Sequence, residues 1–318
     1  MADFKRDLLD RPAVLATSAV ALAYLDDAVA AAARLGDRND AEALHDFRVA
    51  IRRLRVAVRA YPGLHESVPW KQRRRLRKLA RATNPGRDAE VQLAWFRVHS
   101  QRLTTAERVA LAPLRARLRG RRRRVIAETR GGDLQDRFEK LERKLRRRLT
   151  ALRTDGSHEA PFRTVAAATL VSHATDLAGR LKDAATSANP AELHATRIAA
   201  KRLRYLLEPV ESWLSNGTAL VDRLKDLQDL FGALTDAHEL DVVLHEVGES
   251  AAPAVSLLRT EVSALRDNLR DEWSGAGPDL ERQIGTVARQ LRPAKPSPRA
   301  PARRRRLRRA VVGDFPGR

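Results

Sequence analysis

Leu44-His45-Asp46-Phe47-Arg48-Val49-Ala50-Ile51-Arg52-Arg53-Leu54-Arg55 is followed 149 residues later by Leu193-His194-Ala195-Thr196-Arg197-Ile198-Ala199-Ala200-Lys201-Arg202-Leu203-Arg204. Seven of the twelve positions are identical, and Val49/Ile198 and Arg52/Lys201 keep their side-chain class. Both copies read His-x-x-Arg-x-x-x-(Arg/Lys)-Arg-x-Arg. At about 100° per residue, a helix places His45, Arg48, Arg52, Arg55 and Arg59 within an arc of roughly 80°. The adjoining arc takes Leu44, Phe47, Ile51, Leu54 and Val58, an apolar stripe suited to a core. In the second copy His194, Arg197, Lys201 and Arg204 form the cationic row, and Leu193, Ala200, Leu203 and Leu207 the core side. Like charges at i,i+4 destabilise a helix by a few tenths of a kcal/mol per pair. A solvated face with snorkelling arginines could carry that cost once. Its repetition points instead to a ligand of opposite charge.

The duplication extends outward from these two segments. Pro12 and Pro161 open similar apolar stretches at the same 149-residue offset. Downstream, Leu76-Arg77-Lys78-Leu79 before Gly86-Arg87-Asp88 corresponds to Leu224-Lys225-Asp226-Leu227 before Leu234-Thr235-Asp236. Alternating strand-like runs are nearly absent and Ala, Leu and Arg dominate, so the expected class is all-α: two tandem antiparallel helical bundles related by internal pseudo-twofold symmetry. Helices are predicted near 12–35, 40–60, 68–83, 88–102, 105–130 and 134–153. Their counterparts are predicted near 161–184, 190–214, 218–231, 236–248, 251–273 and 279–291. Asn39 with Glu42, and Asn189 with Glu192, have capping-box spacing at the start of the two motif helices. Asn84 and Gly232 fall at corresponding places and suit the left-handed residue that ends a helix. The expected organisation is a strongly basic first repeat over 1–154, a second over 155–292, and a Pro/Arg-rich basic tail over 293–318 expected to be disordered.

The chain has 318 residues and a net charge of +21, which favours a polyanionic partner. Residues 1–154 hold 37 Lys/Arg against 18 Asp/Glu, whereas 155–292 hold 15 against 21. The second repeat is thus acidic overall and still keeps its basic motif. Cysteine is absent, which excludes disulfides and thiolate metal sites and fits a reducing cytosol. The uncharged run 12–25 has a mixed-charge flank and is short for a bilayer, so a structural helix, no membrane insertion and a cytoplasmic location are expected.

Arginine suits phosphate because its planar fork donates two hydrogen bonds and its charge does not titrate. Each motif histidine lies in the second turn of its helix beside arginines. A neutral ring is therefore expected in the free protein, with proton uptake when a polyanion binds.

The paired His-x-x-Arg-x-x-x-(Arg/Lys)-Arg-x-Arg motif, the following Leu-(Arg/Lys)-x-Leu helix and the Arg87-Asp88 and Thr235-Asp236 corners resemble the CHAD family, the conserved histidine α-helical domain. The resemblance covers most of residues 10–292. It implies two four-helix bundles that bind inorganic polyphosphate in a basic pore or groove, with association with polyphosphate or storage granules in some members. Carried over onto this chain, the polyphosphate-binding residues it implies are His45, Arg48, Arg52, Arg53, Arg55 and Arg77, and His194, Arg197, Lys201, Arg202, Arg204 and Lys225. Arg53 and Arg202 lie well off the cationic row on the helical wheel. Within these residues nothing resembles the triphosphatase domain often attached in the family, so binding without catalysis is expected, and no cofactor. Asn84-Pro85-Gly86 replaces the family's usual Leu-Gly, which implies a local difference at that corner.

Other clusters carry less. Lys71, Arg74, Lys78 and Arg81 repeat a helical spacing, but their counterparts Ala219, Asp222, Asp226 and Asp229 do not. They either widen the anion surface or are solvated. His238, Asp241 and His245 share a helix face at a spacing that could ligate a metal, but surface placement is favoured and no metal site is assigned. Arg121–Arg124 and the tail arginines would attract any polyanion. Nonspecific nucleic-acid binding is the main rival, weakened by only 14 aromatic residues for base stacking. A polyphosphate-processing enzyme is the second rival, and no nucleotide-loop or hydrolase motif supports it.

Overall fold

The computed structural model describes residues 4–37, 40, 42–82, 84–130, 133–152, 160–186, 189–245, 247 and 252–274, with 279, 282–283, 286–287 and 289–290. Among these residues the chain is all-α, in twelve helices without a strand. They are α1 (Ala13–Arg34), α2 (Ala43–Ala60), α3 (Pro62–Ser67), α4 (Trp70–Ala82), α5 (Asn84–His99), α6 (Thr105–Ala110), α7 (Ala112–Arg130), α8 (Asp133–Ala151), α9 (Phe162–Thr186), α10 (Pro190–Leu207), α11 (Gly217–His245) and α12 (Ala252–Ser274). The tail over 293–318 and the 154/155 boundary lie outside the described residues.

The apolar stripe of each motif helix does what its spacing predicts. Phe47, Ile51, Leu54 and Val58 are buried on α2, and Ala200, Leu203 and Leu207 on α10. Leu44 and Leu193 are partly buried against the same core. Phe47 meets Phe138 of α8 edge-on with ring centroids 5.0 Å apart, which fixes the α2–α8 contact. Ser18 Oγ of α1 donates to the Leu149 carbonyl of α8 at 2.7 Å. α1 is long and apolar enough to cross a bilayer, but Val20, Ala21, Leu25 and Ala28 are fully buried in the core. It packs against α2, α3, α8 and α9.

The buried side chains do not divide at the sequence boundary. The larger cluster draws on α1, α2, α4 and α8 together with α9, α10 and the first half of α11. A smaller cluster joins Phe96 of α5 and Leu111, Leu114 and Leu118 around α7 to Leu240 and Leu244 of α11 and Leu258 and Val262 of α12. Between the two prolines the chain forms a short reciprocal pairing. Ala13 N donates to the Ala160 carbonyl at 3.0 Å and Phe162 N to the Arg11 carbonyl at 2.9 Å. The two bonds exchange partners under the 149-residue offset.

Three local expectations change. Helices predicted over 218–231 and 236–248 are one continuous helix, α11. Gly232 therefore sits inside a helix rather than ending one, and its first-repeat counterpart Asn84 opens α5. The helix predicted over 105–130 breaks at Leu111 into α6 and α7, beside Pro113, whose missing N–H is harmless only in a first turn. The cap of α2 also differs: Asp40 Oδ1 accepts from Glu42 N at 3.0 Å and Ala43 N at 2.9 Å. Asn39 lies outside the described residues. On α10 Asn189 caps the helix, accepting from Ala191 N at 3.0 Å, but Glu192 Oε2 is buried without a hydrogen-bond partner and does not complete the expected capping box.

Candidate functional site

α2 and α10 pack against each other, and their cationic rows meet. Lys201 on α10 shows this most directly. Burial, then the charges of Arg197, Arg52 and Arg204, lower its ammonium to about pH 7, with Asp229 opposing weakly. Arg52 comes from α2 and the others from α10, so the two motif copies share one electrostatic environment. Two ammonium or guanidinium groups held this close repel in proportion to their desolvation.

Arg55 extends the field on the α2 side. Burial depresses its guanidinium first, followed by Arg52, by Arg77 and Arg81 of α4, and by Arg202 of α10. The four charges that act on it most strongly are all positive. Arg81 belongs to the basic spacing Lys71/Arg74/Lys78/Arg81, and it and Arg77, both exposed, are close enough to act on Arg55. Lys71, Arg74 and Lys78 of the same helix are exposed.

On α10 the row is braced by carboxylates. Arg204 donates to Glu208 Oε1 at 3.1 Å and lies over the Tyr205 ring at 4.7 Å. Arg53 of α2 donates to the other oxygen, Glu208 Oε2, at 2.7 Å. The Glu208 side chain is 6% exposed, so this is a buried three-member network. It ties α2 to α10 and commits Arg53 to a partner inside the protein, in keeping with its place off the row. Arg197 reaches toward Asp236 of α11 at 4.0 Å. It can do so because Gly232 has no side chain: a Cβ there would stand 3.0 Å from Arg197 Nη2 and 3.3 Å from its Cζ. The Nε groups of Arg197 and Arg204 are buried without a hydrogen-bond partner.

The remaining candidates sort by exposure. Arg48 is buried at 8% exposure. His45 and His194 are exposed at the N-terminal ends of their rows, and Lys225 is exposed on α11. Lys201 is the row member whose charge burial and the neighbouring arginines most clearly disfavour. Arg202 lies off the α10 row, near Arg59, Asp176 and Arg180, and also acts on Arg55 of α2. Among the described residues no three metal-ligating side chains gather. Asp241 is instead taken by Arg259 at 2.8 Å.

These features define an all-α protein in which cationic faces of two equivalent helices adjoin. The chain belongs to the CHAD family: the CHAD domain model matches residues 19–245. Polyphosphate binding is consistent with that membership. The fold is similar to the CHAD domain from the plant Ricinus communis, at 22% identity and TM-score 0.59 over 92% of this chain and 95% of that one. It is also similar to PptA from Streptomyces chartreusis, at 19% identity and TM-score 0.62 over 84% of this chain and 99% of that one. A search of curated proteins found no match.

Proposed function

We propose that this protein binds inorganic polyphosphate, without catalysis, along the adjoining cationic rows of α2 and α10. The observation that carries the reading is the Lys201 environment: one ammonium among Arg52, Arg197 and Arg204 from both motif copies, opposed only weakly by Asp229. Such a set gains most from a ligand that brings closely spaced negative charge. From His45 to Arg55 a row rises about 15 Å along the helix, room for several successive phosphates. The reciprocal Pro12/Pro161 pairing supports a pseudo-twofold axis between the repeats, and family members generally bind polyphosphate rather than process it. Arg48, Arg52, Arg55, Arg77, Arg197, Lys201 and Lys225, with His45 and His194 at the mouths, are the proposed phosphate contacts. Arg53 and Arg204 brace them through Glu208. A cytoplasmic location, at polyphosphate or storage granules, completes the proposal.

The test is charge reversal in both rows at once. Arg52→Glu with Lys201→Glu is expected to weaken long-chain polyphosphate binding by at least about a hundredfold at physiological salt while helicity by circular dichroism is kept. Unchanged affinity would move the site elsewhere. Duplex DNA competing on equal terms would favour the nucleic-acid rival, and phosphate release from tripolyphosphate with Mg²⁺ or Mn²⁺ would favour an enzyme.

A further inference from the structure

The 149-residue correspondence exposes an asymmetry beside the motif helices. In one environment Tyr24 of α1 lies near Glu208, Arg53 and Asp27, and Arg53 and Glu208 are hydrogen-bonded at 2.7 Å. The corresponding residues are His173, Arg59, Arg202 and Asp176, and they too are neighbours: Arg202, Asp176 and Arg59 all act on the His173 ring. Where the first environment has a buried carboxylate, Glu208, the second has an arginine, Arg59. The ion pair is replaced by two guanidinium groups.

The surroundings do not repair the imbalance. α9 packs against α10, with Thr196 Oγ1 donating to the Arg180 carbonyl at 3.3 Å, so the α9 face bearing His173, Asp176 and Arg180 borders Arg202. The one carboxylate acting on the ring, Asp176, already accepts from Arg180 Nε at 3.0 Å. Three arginines therefore stand against one acidic group. Arg202 is half-buried and Arg59 is exposed, so the cluster is desolvated at its base and open at its rim. Arg55 acts as the link, since it feels Arg202 as well as Arg52 and Arg77. On the opposite flank, Glu208 places a negative charge where this cluster is positive.

We propose that Arg59, Arg202, Arg180 and His173 form a second subsite that takes a single phosphoryl group, the end of a polyphosphate chain lying in the α2/α10 rows. This rests on the polyphosphate reading and adds a direction to it. The chain runs past Arg55 toward Arg59 and Arg202, where three arginines face one carboxylate, rather than toward Arg53 and Arg204, whose guanidinium groups are already committed to Glu208. Arg59 and Arg202 supply forked donors to the phosphoryl oxygens, and the ring of His173 becomes a further donor once protonated.

The experiment uses the full chain with tripolyphosphate as probe, reading affinity against salt and the His173 ring resonances by NMR against pH. Tripolyphosphate is expected to shift the His173 titration upward, because the anion offsets Arg202 and Arg59. Arg59→Glu should restore the arrangement seen at Arg53–Glu208. It should keep the fold, weaken tripolyphosphate by about tenfold beyond the matched surface variant Arg108→Glu, and lower the salt slope by about one unit. Arg59→Gln, which introduces no carboxylate, should weaken binding in the same direction. If wild-type protein binds tripolyphosphate and long chains while His173 stays unmoved and Arg59→Glu matches Arg108→Glu, the subsite falls and the main reading stands. If wild-type protein binds neither, both fall.

Discussion

The α2 row and the α10 row are written in nearly the same residues, yet the structure surrounds them differently. Around α2 the neighbours add charge of the same sign: Arg77 and Arg81 come in from α4 and act on Arg55 beside Arg52. Around α10 the neighbours subtract it: Glu208 takes Arg204, Asp236 stands 4.0 Å from Arg197, and Asp229 acts on Lys201. The negative balance of residues 155–292 thus has a local use. It pre-orients the second row with carboxylates, while Arg77 and Arg81 add positive charge beside Arg55 of the first. A buried cation is costly unless paired, and Glu208 supplies that pairing to Arg204 and to Arg53 across the α2/α10 contact. Lys201 remains as the cation whose charge the enclosure can remove.

Glu208 should show the contrast most strongly. Glu208→Ala strips the shared acceptor from Arg53 and Arg204, whose side chains are only 13% and 15% exposed. Breaking a buried pair on one side is expected to destabilise by about 3 kcal/mol in chemical denaturation. Arg59→Ala at the corresponding exposed position should change stability by less than about 0.5 kcal/mol. Equal losses at the two positions would mean that the asymmetry has no energetic content.

Lys201 sharpens the comparison through pH. With its free pKa at about 7, the lysine is mostly charged at pH 6 and mostly neutral at pH 8. A polyanion selects the charged form, so polyphosphate affinity is expected to fall by about tenfold between those pH values, with proton uptake on binding near pH 7. Lys201→Arg should bind at both pH values and remove that dependence. A pH profile unchanged by the substitution would place the titrating group elsewhere. The stability sign follows from the same shift. Its folded pKa lies below the ordinary 10.5, so the unfolded chain holds the extra proton and this group's contribution to stability rises with pH from about 7 to 10.5. Lys201→Met should accordingly stabilise the fold most below pH 7, by thermal melting, and least near pH 10.

Much of this arrangement was legible in the sequence because a duplicated motif supplies its own control. The periodicity located α1, α2, α8 and α9 within a few residues and the start of α10, which gives way to a 3-10 helix at Glu208, and the wheel separated Ile51 and Leu203 in the core from Arg52 and Lys201 outside it. It also set Arg53 and Arg202 apart from the rows. The remainder needed the third dimension. Which carboxylate would meet Arg53, 155 residues away, depends on how α2 crosses α10, and neither copy alone encodes that angle. His173 and Arg180 sit on a helix that the motif does not include. Aligning Tyr24, Asp27 and Arg53 with His173, Asp176 and Arg202 would have drawn attention to them. Arg81 had no basic counterpart in the second repeat, so repetition could not single it out.

Gly232 is where the sequence signal was sound and its reading was not. Glycine marks either a chain reversal or a close approach, and the two leave the same trace in a sequence. Here α11 runs straight through and the bare Cα receives the Arg197 guanidinium. Gly232→Ala therefore sets two small effects against each other. Alanine favours the helix by up to about 1 kcal/mol, while its methyl group meets the mobile end of Arg197 rather than rigid backbone. The variant is expected to melt at or slightly above the wild-type temperature and to bind polyphosphate about threefold more weakly, since Arg197 must leave its place between Gly232 and Asp236. No such penalty is expected for Gly179→Ala in α9, where a Cβ would meet nothing within 4 Å. If both variants bind equally well, Arg197 is held for packing alone, and the α10 row acts through Lys201 and its α2 neighbours.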